Sequence, residues 1–191
     1  MNYIIAPHPD DEILGAGGVL LSDPTAFTVL YVTMGNDDQE ESAKAFCKAH
    51  GIKFYWLGLH ECELDDMLAV LVAKLAESVV DADTVYIPCE RDYHIDHQIT
   101  ARACRSVLKP WKGRARRVLE YEVLSETPPG WVPTTYRKIT SNKVDAMACF
   151  YQLEAIQSRS AAAVDALAVL RGAESGLGYA EAFRLWYEVT R

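Results

Sequence analysis

The chain has 191 residues, half of them hydrophobic, with a formal net charge of −8 and an isoelectric point near 5.1. That length is enough to bury a sizeable core, and it predicts a single domain over residues 1–191. The acidic balance excludes a phosphate-tracking surface, which concentrates Lys and Arg to displace counterions, so nucleic acid is not an expected partner.

In chain order, short apolar runs alternate with longer amphipathic ones, the pattern of strands joined by crossover helices. Strands are predicted at Tyr3 to Ala6, Phe27 to Val32, Phe54 to Leu57 and Thr84 to Pro88. Helices are predicted between them at Asp11 to Leu21, Asp38 to His50 and Asp65 to Val80, each long enough for a parallel crossover. Leu64, Leu68, Leu71, Val72 and Leu75 recur at helical spacing and make a face that packs on a sheet. A fourth helix follows at Asp96 to Leu108, then a strand at Val118 to Val123. The run TPPGWVP, residues 127–133, reads as a surface loop, because proline removes donors and glycine relaxes the chain. Beyond it come an apolar alternation ending near Ile139, a helical stretch from Asn142 to about Ile156 and a helix at Ala161 to Leu170; the state of GLGYAEAFRLWYEV is left open. Strands this continuously apolar are buried on both faces, so the expected fold is α/β: a single-domain, Rossmann-like, doubly wound and mostly parallel sheet with helices on both faces.

The cysteines, Cys47, Cys62, Cys89, Cys104 and Cys149, form no CxxC pair, and their odd number of five suits reduced thiols better than a disulfide framework. The opening residues carry no basic stretch, and no apolar segment reaches the roughly 18 residues of a membrane span. A cytoplasmic protein without a membrane partner is expected.

Two stretches carry chemistry. After the first strand comes HPDDE, with His8, Asp10 and Asp11; after the fourth comes ERDYHIDH, with Asp92, His94, Asp96 and His97. Three of the chain's five histidines sit in these two connections. Asp11 on its own reads as a helix cap, favoured by the free N–H groups and the dipole; capping does not explain adjacent carboxylates beside a histidine. In a doubly wound sheet the first and fourth strands lie side by side, and ligands bind beyond their carboxyl ends. The two clusters are therefore expected to form one site. Two neutral imidazoles and a carboxylate make a catalytic zinc set with one position open. The expected ligands are His8, Asp11 and His97, because neighbours in a tight turn point different ways. Asp10 is left as the general base for water. His94 is expected to stabilise an oxyanion or protonate a leaving amine, with Asp96 orienting it. Iron, cobalt and nickel suit the same donors.

These residues, PHPDDE with GAGG in the helix after it and HxDH later, resemble the PIG-L or LmbE-like family of zinc-dependent N-deacetylases. Thr33-Met34-Gly35, KVDAMACFYQ from Lys143 and GYAEAF around Tyr179 are similar to weaker motifs of that family. The resemblance implies one Zn2+ per chain and removal of acetyl from an N-acetylglucosamine-type sugar or its conjugate. It assigns His8, Asp11 and His97 to the metal, Asp10 to the base, and His94 with Asp96 to assistance. Ile95 stands where the family often has proline, and NDDQEES after Gly35 is short, acidic and without arginine. Substrate contacts are thus not transferred, and a pocket that is open or completed by a second copy of the chain is expected. The alternatives are a metal-dependent hydrolase of another small-molecule amide or ester, and a non-catalytic metal- or sugar-binding relative.

Other features have plainer readings. GAGG, Gly15 to Gly18, lacks the remaining pattern of a dinucleotide fingerprint and reads as close helix packing. The basic run Lys109, Lys112, Arg114, Arg116 and Arg117 reads as a solvated loop, its alternative being a phosphate dock. Trp131 reads as local packing or a sugar platform, and His50 and His60 as structural or surface residues. No GxSxG, Walker loop or HExxH occurs.

Overall fold

The computed structural model describes residues 1–124, 126–140, 142–147 and 160–189. Seven strands form one sheet: β1 (Asn2–Ala6), β2 (Phe27–Thr33), β3 (Lys53–Leu59), β4 (Ala82–Pro88), β5 (Ala115–Tyr121), β6 (Thr135–Lys138) and β7 (Ala180–Glu188). Their order is β3-β2-β1-β4-β5-β7-β6. The first five are parallel, and β7 runs antiparallel to both β5 and β6. The helices are α1 (Asp11–Ser22), α2 (Asp37–His50), α3 (Leu68–Ser78), α4 (Ile95–Val107), α5 (Asn142–Ala146) and α6 (Ala161–Ser175).

Side chains alternate across a pleated strand, and β1 shows the result. Ile4 and Ala6 join one core with Leu20, Phe46, Leu119, Tyr121 and Phe183; Ile5 joins the other with Leu71, Leu75, Val85, Ile99 and Val107. Both faces are covered, as the unbroken apolarity of the strands required.

Two boundaries differ most from expectation, and the segment left open takes a definite state. The predicted Asp65–Val80 helix begins at Leu68, because residues 64–67 form a turn in which Met67 N–H donates to Leu64 C=O. The fifth strand spans Ala115–Tyr121 rather than Val118–Val123, so its first residues come from the basic run. The closing segment is the antiparallel strand β7. Of the predicted helix from Asn142 to about Ile156, Asn142–Ala146 is helical, and residues 148–156 lie outside the described residues.

Within α1 the backbone breaks at Ala16, with φ −142° and ψ 19°. The ordinary helical bond from Gly18 N–H to Leu14 C=O is replaced by a pair of side chains. Gly18 and Val19 N–H donate to the Glu181 carboxylate at 2.7 and 2.9 Å, while Lys143 Nζ donates to Leu14 C=O and to Glu181, each at 2.7 Å. An inserted polar group is a recognised cause of a helix kink. The glycines serve close packing here: a Cβ on Gly15 would lie 2.2 Å from the Tyr121 ring, and one on Gly18 would lie 2.5 Å from Ile139. Tyr121 is itself pinned, since its hydroxyl donates to Ile5 C=O at 2.9 Å. Overpacking of this kind costs about 1–3 kcal/mol. Gly15→Ala is therefore expected to lower stability by about that amount, read as a lower denaturant midpoint at unchanged slope; an unmoved midpoint would contradict the packing role.

Candidate metal centre

β1 and β4 are hydrogen-bonded neighbours, with Asn2, Tyr3 and Ile4 opposite Thr84, Val85 and Tyr86. Their trailing connections therefore leave the same edge of the sheet side by side. The first is pinned by Thr33 at the end of β2, whose N–H and hydroxyl both donate to Pro7 C=O, at 3.0 and 2.8 Å. Asp10 heads α1; its C=O accepts from Ile13 and Leu14 N–H, and its N–H donates to Glu12. Its backbone lies at φ 143° and ψ −25°, a region that L residues avoid. Such strain costs on the order of 1–3 kcal/mol and persists only where the surroundings enforce it.

Asp11 Oδ2 is the centre of the cluster. It accepts the His8 N–H at 2.9 Å and lies 3.2 Å from His8 Nδ1 and 3.1 Å from His97 Nε2. The far side of each ring also meets a carboxylate. His8 Nε2 stands 3.1 Å from Asp96 Oδ2, and His97 Nδ1 stands 3.2 Å from Asp92 Oδ2. Asp11, Asp96 and His97 are fully buried. His94 completes a group of three imidazoles whose nitrogens fall within 4.8 Å of one another and which can hold a metal ion.

His8, Asp11, His94, Asp96 and His97 are thus brought together, with Asp10 buried next to Asp11 in the chain, and their connections differ from expectation in two ways. The geometric group is His8, His94 and His97, whereas the expected set has Asp11 in place of His94. The Asp96 carboxylate faces His8 rather than His94, and what it offers His94 is its backbone N–H, donated to Nδ1 at 3.2 Å. Four contributors were given no role from the sequence. Asp92 accepts the His94 N–H at 2.9 Å and faces His97. Glu12 receives the Asp10 N–H at 3.0 Å. From the connection after β3, Cys62 N–H donates to Asp96 at 2.8 Å, and Glu61 lies 3.9 Å from His8. Asp92 and Glu12 were visible as acids inside the two motifs; nothing local marked residues 61 and 62.

The donors fit a cation. Around a four-coordinate ion with bonds of about 2.0–2.2 Å, ligand atoms stand roughly 3.3–3.6 Å apart, close to the separations from Asp11 to the two rings. Neither His97 nitrogen is in hydrogen-bonding geometry, and buried Asp11 Oδ1 has no hydrogen-bond partner, a cost normally avoided. Carboxylates behind each ring are the usual way a metal-binding histidine is oriented. Without an ion the charges compensate one another. Burial favours the neutral ring at His8 and His97, but the carboxylates outweigh it and hold them up to about 9 and about 10; burial would raise Asp11, but the two imidazoliums hold it well below the usual range. Burial pushes Glu12 up to about 8.

The family described as PIG-L, GlcNAc-PI de-N-acetylase, matches residues 3–108, more than half of the chain. No curated protein matches. Among solved structures, the conserved protein TT1542 from Thermus thermophilus is 22% identical with a TM-score of 0.77, covering 100% of this chain and 96% of its own. GalB, the 4-carboxy-2-hydroxymuconate hydratase from Pseudomonas putida, is 18% identical with a TM-score of 0.75, covering 100% and 97%. The A40926 pseudoaglycone deacetylase Dbv21 is 17% identical with a TM-score of 0.72, covering 100% and 98%. Identities this low show a shared fold.

Because both rings hold protons well above neutrality in the ion-free protein, a divalent cation must displace them. Its apparent affinity is expected to rise between pH 6 and 8, by up to about 100-fold per unit if two protons leave. Zn2+ titrations against a competing chelator across that range check this; an affinity independent of pH would contradict the placement of the protons. In the ion-free protein these raised values add stability that is complete below about pH 6.5 and lost as pH rises through about 9 for His8 and about 10 for His97.

Proposed function

The chain belongs to the PIG-L, GlcNAc-PI de-N-acetylase family, and from that premise we propose that it is a zinc-dependent hydrolase removing acetyl from an N-acetylglucosamine-type sugar or sugar conjugate. The observation that carries the reading is the meeting of the two connections in a buried set of imidazoles and carboxylates, with the buried Asp10 next in sequence to Asp11. No helix among the described residues is long and apolar enough to cross a membrane.

His8, Asp11 and His97 would hold the ion. The state of His94 favours that choice over three histidines: its Nδ1 accepts a backbone N–H, so a neutral ring keeps its proton on Nε2 and has no free lone pair for a cation. Asp96 takes the outer N–H of His8, and the Asp92 carboxylate stands 3.2 Å from the outer nitrogen of His97, so each ring has a carboxylate behind it. When bound, the ion supplies Lewis acidity toward the amide carbonyl and the attacking water. Asp10 takes the proton of that water as it adds to the carbonyl carbon. His94 Nε2–H donates to the oxygen that becomes negative in the tetrahedral intermediate. Collapse breaks the C–N bond, the proton passes to the departing amine, and acetate remains.

The same fold carries a hydratase in GalB, so the products have to be identified. Incubating the zinc-loaded protein with acetylated amino sugars, free and nucleotide-linked, is expected to release acetate and a free amine in equal amounts. Asp10→Asn is expected to keep its zinc and lose about 10²–10⁴-fold in kcat, the usual worth of a general base; a variant as fast as the parent removes that role.

A further inference from the structure

A cavity of about 200 Å³ is lined by Arg91, Pro128, Pro129, Gly130, Trp131 and Arg184. None of the functional roles assigned so far uses these side chains. Its place in the fold ties it to the metal centre. Arg91 directly precedes Asp92, the residue that faces His97 and accepts from His94. The loop bearing Trp131 is bound to the same connection, since Tyr93 N–H donates to Glu126 C=O at 2.8 Å. Arg184 comes from β7, opposite Glu120 and one residue from the carboxyl end of β5.

Its charge is unusual for this chain. In a protein of net charge −8, the cavity presents two guanidiniums and no carboxylate among its lining residues. The acids nearest in chain or ladder are already committed. Glu90, next to Arg91, and Glu120, opposite Arg184, both pair with Arg105. Glu122 is held by Arg171. The Arg91 and Arg184 side chains have no hydrogen-bond or ion-pair partner among the described residues. The basic run at residues 109–117 offers no such pair: Arg114 donates to Ala76 and Val79 C=O, Arg116 pairs with Asp83, and Arg117 pairs with Glu188. It also lies at the opposite, amino end of β5.

Two unpaired guanidiniums converging on one concavity present planar sets of donors suited to the oxygens of a phosphate or carboxylate. The Trp131 side chain forms part of the same wall. Consecutive prolines stiffen the wall, so little ordering is lost when a ligand arrives. We propose that this cavity is an anion subsite, binding a phosphate or carboxylate group of the substrate whose acetamide lies at the metal centre. The inference rests on the hydrolase reading for what it serves, and on the cavity alone for what it binds.

The test is calorimetric titration at low salt with inorganic phosphate and, separately, with succinate. At least one of them is expected to bind saturably, and Arg91→Gln/Arg184→Gln is expected to weaken that anion at least tenfold. A phosphate-only response identifies a phosphate site, and a succinate-only response a carboxylate site. Trp131→Phe is expected to remove the change in tryptophan emission that accompanies binding. No binding of either anion, or equal affinities in the parent and the double variant, overturns the subsite. Acetate release from uncharged acetylated sugars with no anion binding would leave the hydrolase reading and remove the subsite. Anion binding sensitive to both arginines, with no acetate released from any substrate, would do the reverse.

Discussion

The site depends on one adjacency, the pairing of β1 with β4. Only because these strands run parallel and in contact do two connections about 80 residues apart leave the sheet at one point. Their cargo would be unstable if separated: buried carboxylates repel one another, and buried imidazoliums are costly without a counter-charge. Together they compensate, with Asp11 between His8 and His97 and with Asp96 and Asp92 behind the rings. The strain at Asp10 is held by the head of α1, since its C=O accepts from Ile13 and Leu14 N–H and its own N–H donates to Glu12.

Remote parts of the chain reinforce the helix that carries Asp11. The break at Ala16 would leave Gly18 N–H and Leu14 C=O unsatisfied inside the protein, a cost of several kcal/mol for two buried groups. Glu181 on β7 and Lys143 on α5 meet both demands while neutralising each other. Removing either partner would leave the other charge buried and alone, which is why such pairs cost far more to break than they contribute when intact. The motifs at Lys143 and Glu181 are therefore structural supports of the first connection rather than further chemistry.

Much of this was legible without coordinates. The alternation of apolar strands and amphipathic helices specified the doubly wound class, because the periods of 2 and 3.6 residues are set by local geometry. HPDDE and DYHIDH announced themselves because an ordinary turn has no use for so many titratable groups. GAGG was read as packing, and the close approach of Gly15 to Tyr121 gives its reason. Less legible were the ends of elements, such as the turn that delays α3 and the basic residues that begin β5, where local preference yields to neighbours in the sheet.

By itself, then, the sequence determined the class of fold, the two motifs and the kinds of donor they bring, since all three follow from residue type and spacing along the chain. Only the tertiary structure decided which carboxylate faces which ring. Asp96 serves His8 across 88 residues, Asp92 serves His97, and the backbone of Cys62 secures Asp96. Nor could spacing foretell that Arg91, Trp131 and Arg184 share one cavity. Pairings of this kind are set by strand order and side-chain direction in three dimensions, and a linear pattern carries no record of either.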